Sequence, residues 1–304
     1  MKTGNLSRRA AVFSGMAACA LPRGVLGQER ELEGGIGGTG IVGILTDLNG
    51  FIVAGRSVAI NAGTVLVDAF GPLPTGSLVP GDSLTVEAAA SGDGLVARRV
   101  YLTQPVVGPV SAVSGQRAVV NGVEVALTSG MQRPRVGDRV AVSGLWQGNR
   151  VIASRLSTAR SPRDVIAGDV TRRIGRLAVG GVPVTRVGAA QTDGSFATVY
   201  GRYDTAAGRF IVENTQGGRF VLAAGPLKHL AVEGFLEPTR QAPEFRISGL
   251  GHSFARNLRL AEFADRRVLF SGPYKDVFAA DKAVILPEDP RRRRNVLRTL
   301  STRT

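Results

Sequence analysis

A chain of 304 residues exceeds one ordinary core and predicts two or more domains. Forty glycines and 15 prolines, with aromatics at 6%, argue for many short strands joined by tight turns and against a helical bundle. The formal charge of +14 suggests a nucleic-acid binder until it is apportioned: residues 1–27 carry +4 and 289–304 carry +5, leaving +5 for the body, too little for a phosphate-binding face.

Residues 1–27 read as an export signal. Ser7-Arg8-Arg9 precedes a weakly apolar stretch, Ala10 to Pro22, followed by Arg23 and the small-residue end Val25-Leu26-Gly27. The pattern resembles a twin-arginine signal with Ala11 where phenylalanine is usual, and a Sec signal is the alternative. The apolar run is too short to span a bilayer, and no other stretch approaches about 20 apolar residues. The expectation is an exported protein of the periplasm or cell envelope, soluble or peripherally attached. Cys19, the only cysteine, falls in this segment, so a chain cut after Gly27 has no disulfide. Met16-Ala17-Ala18-Cys19 also resembles a degenerate lipobox, which would make Cys19 a lipidated first residue.

Residues 28–39 form a glycine-rich leader. Gly35-Ile36-Gly37-Gly38-Thr39-Gly40 spells G-x-G-x-x-G, but a dinucleotide site needs a strand before it and a helix after it, and here a strand is expected to follow.

Beyond the leader the chain repeats. Asp82–Val100 aligns without gaps over Asp138–Leu156, and each stretch is introduced by Gly-Asp (Gly81-Asp82, Gly137-Asp138). Apolar residues alternate, a polar turn with glycine follows, and a second apolar run completes a β-hairpin. Upstream, Gly43–Gly50 matches Gly108–Gly115. In the second copy Asn121-Gly122 separates two short apolar runs, as a type I′ turn requires. A third copy begins at Gly168-Asp169-Val170, turns at Gly180-Gly181 and has its later hairpin at Val199–Gly201 and Phe210–Val212. A fourth runs through Val232–Phe235 and Val268–Gly272 to Ile285. The expected copies are 40–106, 107–159, 160–217 and 218–288, each with about five strands. The predicted fold class is all-β, a tandem array of small five-stranded OB-like Greek-key barrels. Units near 60 residues bury little of their surface, so neighbouring copies should pack together.

The two clear copies, with a G-x-V…V-N-G-V-x-V half and a G-D-x-V-x-V-x-G…V-x-A half, resemble the bacterial exported repeat proteins of the domain-of-unknown-function 5666 family. The resemblance implies tandem OB-like barrels and export. It implies no activity and no catalytic residues.

Chemical motifs are few. Gly251-His252-Ser253-Phe254-Ala255 resembles a hydrolase nucleophile elbow, yet no parallel sheet is expected around it and no histidine follows. His229 and His252 are the only histidines, without metal-ligand spacing. No catalytic residue, cofactor or metal site is assigned. Three copies place an aromatic two residues after the later hairpin's glycine: Gly144-Leu145-Trp146, Gly201-Arg202-Tyr203 and Gly272-Pro273-Tyr274, where the first copy has Ala88-Ala89-Ala90. Trp146, Tyr203 and Tyr274 are the ligand-binding candidates, with capping of each small core as the competing reading. Pro287 and Pro290 stop the last strand, and 289–304 is a basic tail, a solvated terminus or a short amphipathic helix able to touch acidic surfaces. The expected function is non-enzymatic: a binding or scaffolding protein for an envelope glycan or protein partner, not for nucleic acid. A hydrolase acting on an envelope polymer and a purely structural spacer are the alternatives.

Overall fold

The computed structural model describes residues 37–302 apart from 75, 174, 239–244, 252, 255–259 and 276. The export segment, Cys19 and most of the leader lie outside the described residues, as does His252.

The first copy contains β1 (Gly38–Asp47), β2 (Ile52–Val53), β3 (Arg56–Ser57), β4 (Val65–Asp68), β5 (Gly71–Pro72), β6 (Ser83–Ser91) and β7 (Gly94–Leu102). The second has β8 (Val106–Ser114), β9 (Arg117–Val120), β10 (Val123–Ala126), β11 (Arg139–Gln147) and β12 (Arg150–Thr158). Its ladders run β8-β9-β10-β12-β11 and back to β8, closing a five-stranded barrel in which β10 and β12 are the parallel pair. That order is the OB-type Greek key. The third copy, β13 (Asp164–Arg173), β14 (Arg176–Val179), β15 (Val182–Pro183), β16 (Phe196–Asp204) and β17 (Arg209–Gly217), follows the same ring. Single parallel bridges, Ala59 to Val96 and Val184 to Phe210, replace the third-to-fifth-strand ladder in the first and third copies. The fourth copy comprises β18 (Leu227–Pro238), β19 (Phe245–Ile247), β20 (Ser253–Phe254), β21 (Arg267–Lys275), β22 (Val277–Phe278) and β23 (Lys282–Ile285), followed by α1 (Pro290–Ser301).

Turn chemistry makes the early hairpins. Asn121 and Gly122 sit at φ 49° and 76°, and Gly180 and Gly181 at 55° and 78°, the paired positive values of a type I′ turn. The later hairpins share a different device. Opposite Glu87/Ala88, Ser143/Gly144 and Tyr200/Gly201 the ladder slips, leaving Arg98, Ser154 and Glu213 as the extra residue of a β-bulge on the partner strand. In the second and third copies the bulge pushes backbone into the place of a side chain, whereas in the first Ala88 keeps its methyl opposite the same bulge. A methyl at Gly144 or Gly201 would lie 2.4 or 2.0 Å from a carbonyl oxygen of the bulged strand, and one at Gly272 would lie 2.4 Å from the Ala279 carbonyl in the β22–β23 connection, so glycine recurs there for steric reasons.

The copies are joined by ladders, as their size demands. β1 pairs in parallel with β18, putting the first and fourth copies in one sheet, and β8 pairs antiparallel with β13, putting the second and third in another. The second and third copies accordingly share one core, from Val106 to Val212, and Ala231 of the fourth joins the core of the first. All described residues fall in one compact unit.

The basic tail is not a frayed terminus. Asp289 caps α1 by accepting from the Arg292 N–H, Pro290 opens the helix, and Leu297 is 2% exposed. Gly55, at φ 68°, lies against Leu297 and Leu300, which lets the helix close on the first copy. Among the described residues no helix is long and apolar enough to cross a membrane.

Candidate functional site

The aromatic candidates do not gather on one face. Trp146, on β11, is 4% exposed; its indole N–H donates to the Ala167 carbonyl at 2.8 Å. Space for the ring comes from glycines of the neighbouring copies, since a methyl at Gly180 or Gly249 would lie 2.5 or 2.6 Å from it. Tyr203, on β16, is half-buried over the core of the second and third copies, its ring against the Asn121-Gly122 turn. Tyr274, on β21, is half-buried against the core of the fourth. Trp146 thus binds three copies together from inside.

Around Trp146 all four copies meet. The space left there is about 20 Å³, with Ser83 of the first copy, Leu145 of the second, Ala167 of the third and Glu233 of the fourth on its walls. That is far below the volume of a small-molecule site. What the junction holds is charge. Asp169 of β13 accepts from the Gly249 N–H at 2.8 Å, and Arg219 donates to the Gly249 carbonyl through Nη2 and to Thr85 Oγ1 through Nη1. The Arg219 guanidinium also stacks on the Phe196 ring, 4.0 Å from its centroid. One turn of the fourth copy is therefore clamped by its own flanking arginine and by the third copy's carboxylate. Burial pushes the Asp169 carboxyl up to about 6, against the lowering effects of the Gly249 N–H, Arg246 and Arg219. Burial likewise lowers Arg219 to about 10.

Two more buried carboxylates tie strands to neighbours. Glu233 on β18 accepts from the Ile44 N–H of β1 and pairs with Arg267 at 2.8 Å, both side chains almost fully buried. Glu87 on β6 accepts from the N–H groups of Val221 and Ala223. At the seam between the first two copies Ser154, aimed outward by its bulge, donates to the Gly81 carbonyl, and Arg155 pairs with Asp82 at 2.8 Å. Sequence reasoning missed Glu87, Asp169, Arg219 and Glu233. Glu87 and Glu233 carried a signal, a lone acid inside an apolar run, because such a residue must find a partner when the strand is buried.

The repeated Gly-Asp pair is a turn device. Asp82 accepts from the Val79 N–H and Asp138 from the Arg135 N–H, with the same three-residue reach. Beside the second of these turns lies an open cleft of about 390 Å³, lined by Met131, Arg133, Pro134, Asp138 and Leu156 among others. Position 78 of the first copy corresponds to Pro134 and holds Leu78, 3% exposed and part of that copy's core. Ser253 and Phe254 pair in parallel with β22 as a short strand, while His252 and Ala255 of the elbow-like motif lie outside the described residues.

No curated protein and no solved structure matches the chain. A family model described as Domain of unknown function (DUF5666) matches residues 39–101 and 107–157, the segments that form the first two barrels. The match places two adjacent copies of this domain in residues 39–157.

Proposed function

We propose that this chain is a non-enzymatic scaffolding and binding protein of the periplasm or cell envelope, exported by the signal in residues 1–27. The observation that carries the reading is the fusion of the four copies. Ladders between β1 and β18 and between β8 and β13 make two sheets, contacts such as Asp169 to Gly249 and Arg155 to Asp82 tie the two together, and the β11–β12 turn, a place where single OB-type barrels take ligands, is occupied by neighbouring copies. Gly148 of that turn donates to Ser248 of the fourth copy, and Asn149 lies against Gly181 of the third. Recognition of an envelope glycan or protein partner then falls to the outer surfaces, including the arginines of α1, which suit an acidic surface.

The test is retention of the purified chain on outer-membrane and cell-wall fractions, with the supernatant assayed for released polymer fragments. Saturable retention without release supports the proposal. Release of fragments would replace it with a hydrolase, and neither retention nor release with a pure spacer.

A further inference from the structure

The sequence of α1 is arranged against its own stability. Arg291, Arg292 and Arg293 occupy its first turn and Arg294 opens the second, near the end where the helix dipole favours acids and disfavours cations, and the cap Asp289 is the only acid there. One of the four is used inward: Arg293 donates to the Pro287 and Glu288 carbonyls. Arg291, Arg292 and Arg294 are exposed and make no ion pair among the described residues. At about 100° per residue they fall, with Asn295, Arg298 and Thr299, within one outward arc of about 160°. That arc holds no apolar residue. Val296, Leu297 and Leu300 face the body, and Arg298 reaches Asp47 at 3.4 Å on the flank.

These features describe a docked ridge that displays cations on a convex surface. A convex face without aromatic or aliphatic anchors is a poor match for a protein pocket, whose binding energy concentrates in such anchors. It is also unsuited to insertion, which requires an apolar face. A plane of dense negative charge matches it, because each arginine then contributes additively through the surface potential. We infer that α1 is a peripheral docking element for an anionic bilayer surface, held flat by Leu297 so that Arg291, Arg292 and Arg294 meet lipid phosphates together. The inference rests on the proposed envelope role and names the partner of this one face.

The test is cosedimentation of the full chain with vesicles of phosphatidylcholine alone or with about a third phosphatidylglycerol, comparing wild type with the triple variant R291Q/R292Q/R294Q. Using the same chain throughout cancels any contribution from residues 1–27. Wild type should partition onto the anionic vesicles, weaken steeply with salt, and lose roughly 100-fold in the triple variant, from the usual increment per arginine at a charged membrane. A thermal-unfolding midpoint unchanged by the three glutamines confirms that only the display was altered. Equal partitioning of wild type and variant, or no preference for the anionic vesicles, overturns the inference. If the variant instead loses retention on lipid-free envelope material, the partner is an acidic macromolecule: the bilayer inference falls while the scaffolding role stands. Retention on neither vesicles nor envelope fractions would remove both.

Discussion

Replacing Gly201 by alanine should destabilise this protein more than any other single methyl addition at the repeated bulge. The new Cβ would lie 2.0 Å from the Ile211 carbonyl oxygen, inside the 3.0 Å that real side chains respect. The obstacle is backbone on the adjacent strand, held by the β16–β17 ladder on both sides of the slip, so neither partner can yield by rotating a side chain. Relief requires the strands to separate locally. Overpacking of this kind costs about 1–3 kcal/mol, and loss of one ladder hydrogen bond adds about 1, giving about 2–4 kcal/mol. Gly144→Ala and Gly272→Ala meet carbonyl oxygens at 2.4 Å and should cost somewhat less. The first copy supplies the control, since Ala88 holds the same position and is fully buried. Ala88→Gly should cost only about 1 kcal/mol, from a lost methyl and a freer unfolded chain. Urea unfolding followed by the fluorescence of Trp146, the single tryptophan, and by far-ultraviolet dichroism measures all four. A Gly201→Ala protein within about 0.5 kcal/mol of wild type, the range of ordinary surface changes, would refute the steric account of the recurring glycine.

Asp169 sets a pH dependence of definite sign. Its carboxyl is raised from 3.8 to about 6, so the folded state holds the proton more tightly than the unfolded chain, and this group's contribution to stability grows as pH falls from about 6 to about 4. Asp169→Asn keeps an acceptor for the Gly249 N–H, and should flatten that slope and raise the unfolding midpoint above pH 6, by up to about 3 kcal/mol; midpoints measured from pH 4 to 8 decide it. Trp146→Ala should lose about 3–5 kcal/mol and loosen the seams among three copies, read as faster amide exchange in β13 and around Gly249, whereas an unchanged midpoint would return the ring to the ligand-binding candidates. Changing Arg8 and Arg9 together to lysine should leave precursor in the cytoplasm, and normal export of the variant would assign the signal to the Sec route.

Local chemistry made much of this protein legible in its sequence. Alternating apolar residues, Asn121-Gly122 at a two-residue turn and the paired Gly-Asp turns act over a few residues, and they yield the strands, the hairpins and the five-strand repeat without reference to the rest of the chain. The glycine of the later hairpin was visible too, though its cause, a backbone carbonyl of the neighbouring segment, was not. The basic tail resolved into a docked helix because Leu297 found an apolar seat at Gly55, which no local pattern announces. Tertiary structure alone decided that the first copy pairs with the fourth and the second with the third, because the choice depends on which edge strands present complementary surfaces once each barrel exists. It also decided the place of the charges and of Trp146. Burial is a property of what comes to lie opposite a residue, so Asp169, Arg219 and Gly249, distant in the chain, became one clamp only when two barrels met.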